Sequence, residues 1–498
     1  MQNSELTRET VSAVEWRFVT VAVRFVVQFG VQLALARLLA PEAFGVVAIA
    51  LIFVGLAATI SETGLSPAVV QRPVLTDRTI QISFSASMLL SSALAAALFV
   101  SAAPAAGFFH VPHAASAIRA LSAVFVLQGT ATVSTALLQR RLQLRKLFLV
   151  DMGSYVVGYA IVGVVLAAMG YGVWALVWAC LVQTTVRSVL GFVFAPHPVR
   201  PTLRLGEARD MISFAAGSLV ARCMNYGATN GDYFVVGRAL GAADLGLYNR
   251  AYQLMTLPVG TIYSVFSFVL LASFSQVQED DGRLRHAFRR SAAFSSAFVF
   301  PALGAMAVAA PQLIVGLYGK KWVGAVRPFQ LLCVGGMFRT VNSLSDAVAK
   351  AKGAVYRQSV RHFVYALGIV VGSIVGSHWG IDGVAVGVVI ALAVTYVVLS
   401  QLTVSLLGFS WRDFFASQFG GVLVTIPVVV TGLVCRSALA TLGAPDLVSA
   451  SVVLGASALV ALGALALLPV RSTRFAAELM VVEARRLVSR RVAAAGAP

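Results

Sequence analysis

An all-α polytopic membrane protein is the fold class this chain predicts, on three observations. Its 498 residues are 59% hydrophobic and 12% charged, with mean hydropathy +0.86. A soluble domain has no core large enough to bury that much apolar surface. Apolar runs of about 20 residues, the length that crosses a bilayer as a helix, recur from end to end. They do not alternate as the strands of a transmembrane barrel would. Third, the Lys and Arg that give a net charge of +18 gather in alternate connections between the runs.

Taken in order, the runs read as fourteen spans. The first six lie at about 15–38, 44–66, 81–106, 115–138, 148–169 and 172–195. The next six lie at about 211–237, 246–272, 288–309, 325–349, 359–377 and 383–407. An added pair follows at 418–436 and 447–470. The opening stretch MQNSELTRETVSAVEWRF shows no small-residue cleavage site before the first run, so helix 1 is expected to stay as an anchor. With the N-terminus inside, 26 of the 38 Lys and Arg fall on one side, including Arg140, Arg141, Arg145 and Lys146 in a single connection. Seven fall on the other side, among them Arg37, Arg238 and Arg327, and five lie within spans. This is the positive-inside pattern, and it predicts an even number of spans with both termini cytoplasmic. The charge is thus topological, and no nucleic-acid partner is expected.

The spans also repeat. RLLAPEAFGVVAIA at 37–50 and RALGAADLGLYNRA at 238–251 align at an offset of 201, Arg37 with Arg238 and Gly45 with Gly246. One copy joins spans 1 and 2 and the other joins spans 7 and 8. GYGVWALV at 170–177 and GIDGVAVG at 380–387 open spans 6 and 12 in the same way. Six spans separate the copies, so the repeat is parallel, with two similar halves about an axis along the membrane normal. The expected domains are an N-terminal bundle at 1–209, a second bundle at 210–409, helices 13 and 14 at 410–470, and a basic cytoplasmic tail at 471–498.

Polar residues within spans are costly and need a partner, water or a task. Arg24, Arg119, Arg187, Arg222 and Arg339 are the in-span arginines, and Glu62, Asp232 and Asp346 the acids set against them. Arg17, Arg24 and Gln28 share one face of span 1. Ser218, Arg222, Asn225, Thr229 and Asp232 share the equivalent face of span 7, and Arg339, Ser343, Asp346 and Lys350 line span 10. The expected substrate site is therefore a central cationic cavity holding Arg24, Gln28, Arg222, Asn225 and Arg339. Asp232, Asp346 and Glu62 are candidates for coupling to an ion. A guanidinium holds phosphate bidentately and stays charged in a partly dry site, so the cavity suits an amphiphile with a phosphate or pyrophosphate head. The bland reading is arginines that pair with the acids or, for Arg119 and Arg187, snorkel to an interface.

Enzyme chemistry is not legible. There is no GxxxxGK[ST], HExxH or GxSxG, and no cofactor or metal is expected. HVPH at 110–113 lacks further ligands, and QEDDG at 278–282 reads as a charge-balanced connector. Cys180, Cys223, Cys333 and Cys435 lie in or beside apolar runs without CxxC spacing, and read as small buried residues.

The stretches LARLLAPEAFGVVAIALIFVGLAATISETGLSPAVVQR at 35–72 and GDYFVVGRALGAADLGLYNRAYQLMTLP at 231–258 resemble the bacterial polysaccharide flippases. These form the polysaccharide-transporter branch of the MOP superfamily, and the exopolysaccharide and colanic-acid exporter type is the nearest in look. One departure stands out: Leu271–Ala272–Ser273–Phe274–Ser275 replaces a common Phe-Pro-Ala-Leu-Ser, so the helix-ending proline is missing. The resemblance implies a flippase of the bacterial inner membrane that moves undecaprenyl-pyrophosphate-linked oligosaccharide units for exopolysaccharide or lipopolysaccharide export, working by alternating access. The implied partners are that lipid-linked oligosaccharide, membrane lipid, and the glycan polymerase and glycosyltransferases of the same pathway. Two rivals remain. A MATE-like exporter of cations or drugs would need an acidic cavity. A membrane glycan polymerase or glycosyltransferase would need a sizeable external loop.

Overall fold

In hydrocarbon every backbone N–H and C=O must be satisfied within its own segment, and long apolar runs therefore become helices. The computed structural model of the chain describes residues 23–62, 76–199, 222–223, 225–227, 229–276 and 280–467, with the side chains of 60–62, 261–276 and 355 left aside. The described residues contain helices and no strand. In chain order these are α1 (23–38), α2 (Pro41–Glu62), α3 (Asp77–Phe108), α4 (Ala114–Arg140), α5 (Leu144–Ala168) and α6 (Val173–Phe194). Then come α7 (229–239, with helical residues at 222–223 and 225–227), α8 (Ala242–Gln276), α9 (Asp281–Tyr318) and α10 (Val326–Ala351). The last four are α11 (Val355–Ser377), α12 (Gly380–Leu407), α13 (Trp411–Thr441) and α14 (Asp446–Leu467). Ten of them, α2 to α6, α9 and α11 to α14, are long and apolar enough to cross a membrane. This is a multi-pass all-α membrane protein, as its composition predicts. Arg17, Ser218 and the tail 471–498 lie outside the described residues.

Several boundaries follow from local chemistry. Thr76, Asp280 and Ser410 cap the starts of α3, α9 and α13 by accepting the N–H of Thr79, Arg283 and Asp413. Gly408 ends α12 in the left-handed conformation. No proline removes a donor near residue 272, and α8 runs on to Gln276. α9 is 38 residues long because its charged first turns, which sequence reasoning left in a connection, continue the helix before the apolar part begins.

By internal packing the chain divides into two units, Met1–Gly246 and Leu247–Pro498. In the first, α4 packs on α3 and α6, and α6 on α5. Its core includes Ile80, Val133, Leu137, Leu138 and Val150. In the second, α9 packs on α13, α14 and α10, and α12 packs on α10 and α11. Phe288, Phe409 and Phe414 fill one end, with ring centroids 5.7 and 5.8 Å from Phe288.

The two copies of the repeat touch each other, and they do so reciprocally. A Cβ on Gly45 would stand 1.6 Å from the carbonyl oxygen of Ala242. A Cβ on Gly246 would stand 1.9 Å from the carbonyl oxygen of Pro41. Gly246 is Gly45 moved by 201 residues and Ala242 is Pro41 moved by 201, so the crossing has its own local two-fold relation. Only glycine permits this approach. Nearby, Arg238 donates to Nδ1 of His110 at 2.6 Å, and His113 lies 3.5 Å from Glu42. The two histidines of HVPH thus serve different partners.

Two predictions rest on this packing. Gly45→Ala should lower the thermal midpoint in detergent, by a strain on the order of 1–3 kcal/mol. Gly30→Ala, where a Cβ meets open space, should be neutral or stabilising. Equal midpoints for the two variants would show that the crossing is not tight. The second concerns His197, which is buried beyond the end of α6 against the rings of Phe84 and Phe192. Its Nδ1 lies 3.2 Å from the Ala195 carbonyl oxygen and 3.3 Å from Ser134 Oγ, and its Nε2 is buried with no partner among the described residues. Burial holds its pKa below the usual 6.5. The fold therefore favours neutral imidazole. That stability is complete above the unfolded value and is lost as pH falls below it toward the lowered folded value. His197→Gln should flatten the fall in thermal midpoint between about pH 7 and 5; an unchanged pH profile would contradict the assignment.

Candidate functional site

In α1 the i, i+4 spacing places Arg24 and Gln28 on one face, and they open onto a polar cavity of about 140 Å³. The cavity's other walls are Phe148, Asp151 and Met152 from α5 and Gln183 and Arg187 from α6. Arg187 Nη2 lies 3.2 Å from Asp151 Oδ1. The Nε–H of Arg187 is buried with no acceptor among the described residues. The lining therefore carries two guanidiniums, one carboxylate and two carboxamides, with a donor still to be filled. Beside it α5 winds as a π-helix from Val156 to Gly163, where Gly158 lies against the Ala179 carbonyl and Gln183. A π segment re-aims the side chains around it and is common at functional sites. Just before it, Tyr155 stacks on Tyr159 and donates to the Gln28 carbonyl at 3.4 Å.

This corrects the charge count made from sequence. Asp151 lies inside α5, so it is a fourth acid within the spans, and it sits beside Arg187. Arg187 itself, expected to be a snorkelling residue, lines the same cavity as Arg24. Arg119 keeps to an exposed position over the Phe99 ring, 5.7 Å from its centroid.

The stripe on α7 divides. Arg222, Asn225 and Thr229 are exposed, and Arg222 and Asn225 are not among the lining of the Arg24 cavity. Asp232, one turn on, is 2% exposed, and its Oδ1 accepts the Tyr233 N–H at 3.0 Å. Tyr226, on the flank between them, donates to the Ile52 carbonyl at 2.9 Å and ties α7 to α2. Glu62 ends α2, and its side chain lies outside the described residues.

The stripe on α10 belongs to the second unit. Arg339 donates to the Tyr252 hydroxyl and lies over the same ring, 5.6 Å from the centroid. Seven residues on, Asp346 Oδ1 lies 3.0 Å from His362 Nε2 and accepts from Gln358 Nε2 at 2.9 Å. Gln358 and His362 stand one turn apart on α11 and were missed from sequence, although their i, i+4 spacing in an apolar helix was the available signal. The QEDDG stretch serves structure where it is described. Asp280 caps α9, and Asp281 forms an ion pair with Lys352 at 2.5 Å. No group of three potential metal ligands occurs among the described residues, and the four cysteines are free thiols.

Comparison with known proteins adds independent findings. A family model described as polysaccharide biosynthesis protein matches residues 34–327. The lipopolysaccharide biosynthesis protein WzxC of Escherichia coli (strain K12) is 25% identical over 454 residues, 87% of this chain and 90% of that one. The succinoglycan biosynthesis transport protein ExoT of Rhizobium meliloti (strain 1021) is 29% identical over 407 residues, 81% of this chain and 80% of that one. Among solved structures, the lipid II flippase MurJ in its inward closed conformation aligns with a TM-score of 0.71 at 13% identity, over 89% of this chain and 97% of MurJ. An inward-facing multidrug resistance MATE family transporter of the MOP superfamily aligns with a TM-score of 0.62 at 16% identity, over 76% of this chain and 94% of that one. The last two show a shared fold. With the family model covering more than half of its length, this chain belongs to the polysaccharide biosynthesis protein family.

Proposed function

We propose that this protein is a flippase that moves polyprenyl-pyrophosphate-linked oligosaccharide units from the cytoplasmic to the periplasmic leaflet of the inner membrane, for exopolysaccharide or lipopolysaccharide export. The observation that carries the reading is the cavity of Arg24, Gln28, Asp151, Gln183 and Arg187, where two guanidiniums outnumber one carboxylate and a buried Arg187 N–H is unfilled. An anion is the ligand such a lining selects, since guanidinium pairs with phosphate in a planar, bidentate way. The carboxamides of Gln28 and Gln183 suit the anion or the first sugar. An organic cation would find the wrong charge there, which disfavours a MATE-like cargo. The names of WzxC and ExoT, which place those proteins in lipopolysaccharide and succinoglycan biosynthesis, fit the same substrate class.

In this reading the bundles 1–209 and 210–409 alternate in access, Arg222, Asn225 and Arg339 extend the cationic path, and helices 13 and 14 and the basic tail are additions. The chain performs transport and no covalent chemistry. Coupling to H⁺ or Na⁺ is assigned to acids at membrane depth, chiefly Asp346, whose contact with His362 gives a proton a second site on the next helix. Asp232 and Glu62 are the other candidates.

Arg24→Ala and Arg187→Ala should each lower glycan export about ten- to hundredfold at unchanged amounts in the membrane, in line with a lost charge-assisted contact. Arg24→Lys should keep part of the activity. Full export in Arg24→Ala would remove this cavity from the pathway. In reconstituted vesicles, flipping should follow an imposed ion gradient, and Asp346→Asn should abolish that response; gradient-independent flipping by the unmodified protein would contradict the coupling.

A further inference from the structure

α11 and α12 cross so closely that a Cβ on Gly372 or Gly376 would collide with the backbone of Gly387 or Gly383. Above this glycine floor lies an open apolar groove of about 770 Å³, walled by Leu367, Val371 and Val375 of α11 and Val386, Ile390 and Val394 of α12. All six side chains are exposed, although they belong to helices that cross the membrane. The groove therefore opens toward lipid.

Its two ends differ in charge. At one end Asp382 is already met by Arg327, at 3.9 Å, and Trp379 stands 71% exposed. At the other end the seam between the same two helices continues into Arg361 and Arg357. Arg361 Nε donates to the Val398 carbonyl at 3.1 Å and its Nη1 to the Arg357 carbonyl at 2.8 Å. Arg357 Nη2 donates to Ser405 Oγ at 3.2 Å. Neither guanidinium meets a carboxylate among the described residues. Two like charges are thus held one turn apart by backbone and hydroxyl acceptors, with donors to spare. From Arg361 to Trp379 the helix rises roughly 27 Å, close to the hydrocarbon thickness of a bilayer of about 30 Å. The arginine end is the one that the Lys and Arg distribution assigns to the cytoplasmic face.

We propose that this groove is a site for a resident anionic phospholipid, with its phosphate on Arg357 and Arg361 and one acyl chain laid over the glycine floor. The charge fixes the polarity of the ligand. An anionic head belongs at the arginine end, where neither guanidinium meets a carboxylate among the described residues, whereas at the other end Arg327 is already set against Asp382. The apolar walls take a hydrocarbon chain and offer nothing to a soluble anion. The inference stands apart from the transport reading, because none of its residues belongs to the Arg24 cavity.

The test is native mass spectrometry of the full chain in detergent with added phosphatidylglycerol or phosphatidylcholine, together with thermal midpoints. The unmodified protein should retain one phosphatidylglycerol in clear preference to phosphatidylcholine and gain thermal stability from it. The double variant Arg357→Gln/Arg361→Gln should weaken that retention roughly thirtyfold, as expected for two charges near a membrane surface. Val371→Phe, which fills the groove without touching the glycine floor, should lose it as well while keeping the lipid-free midpoint. Equal retention of the two lipids, or unchanged retention in both variants, would overturn the proposal. Displacement of phosphatidylglycerol by a polyprenyl pyrophosphate at equimolar concentration would overturn it too, by assigning the groove to that lipid's tail.

Discussion

A guanidinium at membrane depth must find an acid, an aromatic ring, a backbone carbonyl or water, and the arrangement of this protein follows that requirement. Arg187 takes Asp151, Arg339 takes the Tyr252 hydroxyl and ring, and Arg119 takes the Phe99 ring. Each solution answers the desolvation cost locally. Arg24 is different in kind, since it opens into a cavity that already contains a balanced pair. That excess of positive charge in a confined polar space is what gives the transport reading its chemistry.

A second constraint is helix proximity, and glycine sets it. At the Gly45–Ala242 and Gly246–Pro41 crossing the two repeat copies meet backbone to backbone. In the second unit the α11–α12 seam does the same through Gly372, Gly376, Gly383 and Gly387. In a membrane there is little hydrophobic gain from joining two apolar helices, so close van der Waals packing through small residues carries the association. The first crossing ties the repeat to a local symmetry. The second leaves a groove, because the bulky residues stand on the flanks and none stands over the glycines.

Much of this was legible in the sequence because bilayer thickness forces long, uniform apolar runs. The spans at 115–138, 172–195 and 325–349 fall within two residues of α4, α6 and α10. The start of α9 was not legible, because Asp281 to Arg290 look like a solvated connection yet continue the helix through six charged or polar positions after the Asp280 cap. The π segment of α5 carries no sequence mark. The site was half legible. Helical spacing put Arg24 and Gln28 on one face, but their company of Asp151, Gln183 and Arg187 depends on how α1, α5 and α6 pack, which one sequence does not show. The same holds for Asp346, whose partners Gln358 and His362 sit on the next helix. The 201-residue repeat was plain in the residues, whereas the mutual contact of its copies at Gly45 and Gly246 needed the structure.

The central claim concerns the lipid-linked substrate, and it is tested most directly in cells lacking this chain, by mass spectrometry of the extracted polyprenyl-linked oligosaccharides. Accumulation of a completed repeat unit together with loss of surface polysaccharide is the predicted result. An unfinished unit, which would place the defect in sugar transfer, or an unchanged lipid pool with normal surface polysaccharide, would contradict the account.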